Sequence, residues 1–159
     1  MKPFLLALSL TTALALPTLA GAHDTAQNAM PAEDAAAPVV ATVEAFSTAL
    51  KAGDLAKAGT YLAEDVLILE SGGAEHSRQE YLSGHATHDA AFLKNAQIDL
   101  KQRAARVDGD LAWVGTESEL RATANGAPMT LMSTETMVLK RMPAGWRIVH
   151  IHWSSGPKH

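Results

Sequence analysis

Apolar positions in the first half of this chain recur at helical spacing, and those in the second half alternate. Pro38 suits a first helical position, Val39, Val43, Phe46 and Leu50 follow on one face, and Gly53 closes the segment. Asp54 is placed to cap a second, short helix carrying Leu55, Ala58 and Leu62. Val66 to Leu69 reads as a short strand ending in a Ser71-Gly72-Gly73 turn. Ser77-Arg78-Gln79-Glu80 is a capping box, which predicts a third helix bearing Tyr81, Leu82, Phe92 and Leu93.

From about Gln97 the pattern becomes extended. Four strands are expected, Ile98 to Val107, Leu111 to Thr123, Pro128 to Arg141 and Trp146 to Trp153. The breaks between them are Asp108-Gly109-Asp110, Asn125-Gly126 and Pro143-Ala144-Gly145, and such tight turns make sequential strands antiparallel neighbours. Helices followed by a meander predict an α+β fold, with three N-terminal helices packed on a curved, mainly antiparallel sheet.

The N-terminal segment has a different character. Lys2 precedes an apolar run from Phe4 to Leu16, Pro17 breaks it, and Ala20-Gly21-Ala22 is an A-x-A cleavage site. This is the pattern of a secretory signal peptide cleaved after Ala22, so the chain is expected to be periplasmic or secreted, with no membrane attachment after cleavage. Residues 23–37 are rich in Ala, Asp, Glu, Asn and Pro, and read as a flexible leader to a single domain over 38–157.

Composition narrows the function. The 159 residues are 47% hydrophobic and 19% charged, which fits one globular domain. A formal net charge of −4 without a basic patch argues against nucleic-acid binding. The absence of cysteine excludes disulfides, thiolate zinc sites, Fe–S clusters and a cysteine nucleophile. There is no P-loop and no G-x-S-x-G motif.

The order of elements resembles the nuclear-transport-factor-2-like (NTF2-like) superfamily, the cone-shaped fold of SnoaL-like proteins and ketosteroid isomerases. Tyr61-Leu62-Ala63-Glu64-Asp65-Val66 is similar to its junction of second helix and first strand, and Gly145-Trp146-Arg147-Ile148-Val149-His150-Ile151-His152-Trp153 to its final strand. That strand, with Ser133-Thr134-Glu135-Thr136 before it, is also similar to the association domain of calcium/calmodulin-dependent protein kinase II. The nearest grouping it resembles is the SnoaL-like proteins with a DUF4440-type domain. The resemblance implies a pocket between sheet and helices, and homodimers formed through the sheet. In the kinase domain, arginines bind carboxylates in that pocket; Met137 and Trp153 occupy corresponding positions here, with Arg121 near a third, which favours a largely apolar small-molecule ligand.

Candidate chemistry rests on a few side chains. Tyr81, His85, His88 and Phe92 share one face of the expected third helix, and with Met137 and Trp153 would line the pocket. An isomerase, cyclase or dehydratase reaction would use His85 or His88 as general base; Asp89 and Glu135 are further acid–base candidates, and Tyr61, Tyr81, Ser133 and Trp153 candidate donors. The His85/His88 pair and the His150-x-His152 pair also have the composition of a Cu or Zn site, with Met129, Met132, Met137 and Met142 as soft ligands for Cu(I). If Trp153 faces the pocket, strand alternation points His150 and His152 to the opposite side. Glu117, Glu119 and Arg121 alternate as a solvated or interface charge ladder, and Glu70 and Glu75 flank the Gly-Gly turn at the rim.

Overall fold

The computed structural model describes residues 32–124 and 126–158. The expected signal segment and residues 23–31 of the expected leader lie outside the described residues; the rest of that leader, 32–37, is helical rather than flexible. The elements are α1 (Ala32–Ala52), α2 (Leu55–Gly59), β1 (Leu62–Glu70), β2 (Gly73–Glu75), α3 (Arg78–Ser83), α4 (His85–Lys94), β3 (Gln97–Asp108), β4 (Leu111–Ala124), β5 (Ala127–Met142) and β6 (Gly145–Pro157). They form one six-stranded sheet in the order β2-β1-β6-β5-β4-β3. The meander β3 to β6 is antiparallel throughout, as its turns require, whereas β6 pairs in parallel with β1.

Helix α1 begins six residues before Pro38, which therefore lies inside the helix rather than at its start. Ala35-Ala36-Ala37 is a run of the best helix former, and Ala36 is buried, so the helix extends through a residue that cannot donate a backbone hydrogen bond. The predicted apolar face holds: Val39, Val43, Phe46 and Leu50 are fully buried against Val114, Met137, Leu139, Ile148 and Ile151 from the inner face of the sheet. Asp54 caps α2 by accepting from the Lys57 amide at 2.9 Å.

The Ser77 cap forms at α3, with the return bond of Glu80 reaching the residue before the N-cap. Ser77 Oγ accepts from the Glu80 amide at 3.1 Å, and Glu80 Oε2 accepts from the His76 amide at 2.8 Å. The expected long third helix does not. It is broken at Gly84, which has φ −125° and ψ −103°, so the helices among the described residues number four and Tyr81 and His85 stand on different ones.

The outer face of the sheet carries the expected ladder in altered form. Glu119 is buried under Lys158, Arg121 and Lys101, and hydrogen bonds from Lys158 and then Arg121 hold its carboxyl at about 2. Trp113 and Met132 are exposed. The resulting face is mixed in character, with Thr134, Thr136 and His152 between the two hydrophobes.

Candidate active site

The cone encloses a cavity of about 400 Å³ between the inner face of the sheet and helices α1 and α4. Its walls are largely apolar, from Phe46, Leu50, Phe92, Ile98, Leu120 and Trp153 among others. Its polar side chains include Lys51, Glu70, Asp89 and several serines, and one row of the sheet adds an arginine, a threonine, a glutamate and an indole.

That row crosses four strands in register. Arg103 on β3 is opposite Thr116 on β4, Thr116 is opposite Glu135 on β5, and Glu135 is opposite Trp153 on β6. All four line the cavity. Strict alternation would not have put Arg103 there, because Ile98 and Leu100 already face inward at even positions. A bulge between Leu100 and Gln102 switches the parity, so that Arg103, Ala105 and Val107 turn inward. The parity switch is visible in the sequence, where apolar positions move from 98 and 100 to 105 and 107.

Glu135 is the centre of the row. Trp153 Nε1 donates to its Oε2 at 2.7 Å. Burial pushes its carboxyl above the usual range, opposed by the Trp153 hydrogen bond and the Arg103 charge. The indole is held in place from both sides: it stacks on Phe46 with ring centroids 6.5 Å apart and tilts against Tyr81 at 6.1 Å. Arg103 is anchored by an ion pair to Glu44 on α1. Its Nε and the Thr116 Oγ1 are buried without a hydrogen-bond partner. Buried polar atoms are nearly always paired, so two orphans beside a half-buried carboxylate mark where a ligand oxygen fits.

A second carboxylate, Asp89, enters the cavity from α4. The fully buried Tyr81 hydroxyl donates to its Oδ2 at 2.8 Å. Burial raises the Asp89 carboxyl, and burial first, then the Asp89 charge, raises the Tyr81 hydroxyl. Changing Tyr81 to Phe removes the donor from a half-buried carboxylate. A loss of about 1–2 kcal/mol is expected in urea denaturation; an unchanged midpoint would contradict the bond.

The sequence-predicted residues divide. Phe92 and Trp153 line the cavity, and Tyr81 lies one contact behind it through Asp89 and Trp153. Met137 is fully buried in the core between sheet and helices and is not in the lining. His85 and His88 are exposed and outside the lining, because the break at Gly84 rotates α4 so that Ala86 and Ala90 face inward. His85 instead pairs with Glu75 at the cavity rim. His150 and His152 point away from the cavity, as alternation from Trp153 requires: His150 Nδ1 meets the Leu67 carbonyl at 2.9 Å and His152 is exposed. The four-histidine Cu or Zn set is therefore not assembled, since a sheet separates its two pairs. Arg121 lies outside the lining, paired with Glu119.

The SnoaL-like domain family matches residues 39–157, three-quarters of the chain. The chain belongs to that family. A candidate ketosteroid isomerase from Shewanella frigidimarina is 34% identical to this SnoaL-like protein, over 74% of its chain and 94% of the other, with a TM-score of 0.71. Two structures at lower identity share the NTF2-like fold. A candidate calcium/calmodulin-dependent protein kinase II association domain from Xanthomonas campestris is 23% identical, with a TM-score of 0.67 and coverage of 87% and 100%. A candidate dehydratase from Streptomyces avermitilis is 22% identical, with a TM-score of 0.66 and coverage of 80% and 98%. No curated protein sequence matches.

Proposed function

We propose that this SnoaL-like protein binds a small, largely apolar molecule with one carbonyl end and moves a proton on it, with Glu135 as the general base. One observation carries this: an elevated carboxylate sits in register beside an unpartnered buried hydroxyl and an unpartnered guanidinium Nε, on a cavity wall that also presents Phe46, Leu120 and Trp153. The apolar walls match the bulk of the ligand. Thr116 Oγ1 and Arg103 Nε donate to its oxygen.

The chemistry follows from the row. Glu135 removes a proton from the carbon beside the carbonyl, and the released electron pair moves onto the carbonyl oxygen. That oxygen gains negative charge, which the two donors stabilise without having to reorganise. Returning the same proton from Glu135 to a conjugated carbon completes an isomerisation; delivering it instead to a β-hydroxyl, which leaves as water while the enolate electron pair forms the double bond, would complete a dehydration. An elevated carboxyl is a stronger base than a free one, and burial is the usual means of tuning it. His85 and His88 have no place in this scheme, lying outside the cavity. The isomerase and dehydratase descriptions of two of the structural neighbours support the reaction class.

The same reading places the protein outside the cytoplasm, on the signal pattern of Met1 to Ala22, and pairs two copies through the outer sheet face around Trp113 and Met132.

The test is a panel of compact β,γ-unsaturated ketones, followed by the ultraviolet absorbance of the conjugated product. Turnover that falls as pH drops through a value above 4.5 is expected, because the base must be ionised. No turnover with any member, together with no thermal shift by the saturated ketones, would remove this reading.

A further inference from the structure

At the rim of the cavity, away from Glu135, three side chains converge without a resolved purpose. The β1–β2 hairpin turns tightly at Gly72, whose φ is +89°, and sets Ile68 opposite Glu75 and Glu70 opposite Gly73. Glu70 and Glu75 therefore share the inner face of the hairpin with the buried Ile68. Gly73 has no side chain, and the imidazole of His85, the first residue of α4, lies over it: a Cβ at Gly73 would stand 3.6 Å from His85 Cε1. A carboxylate oxygen from each glutamate and a ring nitrogen of His85 fall within 4.8 Å of one another.

Two features separate this cluster from an ordinary acidic patch. Glu75 is only 5% exposed, and its Oε2 is buried with no hydrogen-bond partner; Glu70 Oε1 is buried and unpartnered as well. Among the described residues, Glu75 has a single ion-pair partner, His85, and Glu70 has none. Asp89 adds further negative charge close by. A buried carboxylate with a half-buried one beside it is costly without counter-charge, and one imidazole does not balance the pair.

We propose that Glu70, Glu75 and His85 bind a first-row divalent cation of the zinc type. Two carboxylate oxygens and one imidazole nitrogen suit Zn(II), and with three protein ligands the fourth position stays open. Glu70 is itself part of the cavity wall, so the site borders the ligand space. The site uses one histidine of the four that the sequence pattern brings to mind, together with two glutamates from a hairpin that a pattern of histidines does not reveal. Glu135 takes no part in it.

The experiment uses the untagged full chain, dialysed against a chelator and titrated with Zn(II) by calorimetry. One Zn(II) per chain is expected in the wild type. His85→Ala and the near-isosteric Glu75→Gln should each weaken binding by about tenfold or more, the scale on which even supporting residues of a metal site act. The His150→Ala/His152→Ala double variant and His88→Ala should bind as the wild type does. Absence of Zn(II) binding in the wild type overturns the site, as does wild-type affinity in either His85→Ala or Glu75→Gln, which would put the metal elsewhere. Circular dichroism checks each fold, and if His85→Ala is unfolded, Glu75→Gln decides.

Discussion

Replacing Glu135 with Gln is expected to abolish proton transfer while making the protein more stable at neutral pH. The amide keeps the shape of the side chain and still accepts from Trp153 Nε1, so the 2.7 Å bond and the aromatic stack survive. It cannot take a proton. Removing a positioned general base costs about 10²- to 10⁴-fold in kcat, with a smaller effect on ligand binding. The stability gain comes from relieving the partial desolvation of a half-buried carboxylate, on the order of 1 kcal/mol, or about 2–4 °C in Tm for a chain of this size. The sign can be checked against pH. Because the folded carboxyl is raised, its contribution to wild-type stability is full below the unfolded value near 4.5 and is lost as pH rises through the folded value. The advantage of Glu135→Gln should therefore vanish in acid and open above the folded value. Thermal melts of both proteins across this range, beside the enone assay, measure the two effects. Equal stability at every pH would mean that burial does not disfavour the charge.

Phe46→Ala is expected to cost about 3–5 kcal/mol, the range for deleting a fully buried aromatic ring. Phe46 serves two purposes: it belongs to the core that α1 forms with the sheet, and it is the surface on which Trp153 stacks. Its loss should also enlarge the cavity and loosen the indole that donates to Glu135. Met137→Ala separates the two effects. Met137 is equally buried but lies outside the cavity lining, so about 2–5 kcal/mol should be lost with ligand affinity unchanged at temperatures where the variant is folded. Urea denaturation and ligand titration of both variants make the comparison. Weakened binding in Met137→Ala, to the same degree as in Phe46→Ala, would return Met137 to the pocket.

Local signals made the elements legible. Glycine turns at 109, 126 and 145 impose the meander, Asp54 and Ser77 cap their helices, and the α1 face is periodic. The β1–β6 parallel pairing was out of reach, because nothing near Leu67 in sequence signals His150 as its neighbour. The site was harder still. A single helix running from Ser77 through Leu93 would put Tyr81, His85, His88 and Phe92 on one face; the Ser83-Gly84 pair is the local signal against it. Asp89 and Glu135 were in the candidate set, but choosing them over the histidines needed strand register. Register depended on the β3 bulge, which also brings in Arg103. Thr116 carries no sequence signal; it matters only because it stands between Arg103 and Glu135 with nothing to bond.

The central claim is that a half-buried, elevated carboxylate waits in the cavity, and it is most directly tested by titrating that group. Carbon-detected NMR of the Glu135 side-chain carboxyl, assigned by the resonance missing in Glu135→Gln, follows its protonation in the full chain. The account predicts a midpoint above 4.5, moving higher when Arg103→Gln removes the opposing charge. A midpoint at or below 4.5 in the wild type would mean that Glu135 is an ordinary solvated glutamate, and the row Arg103, Thr116, Glu135 and Trp153 would lose its claim to acid–base chemistry.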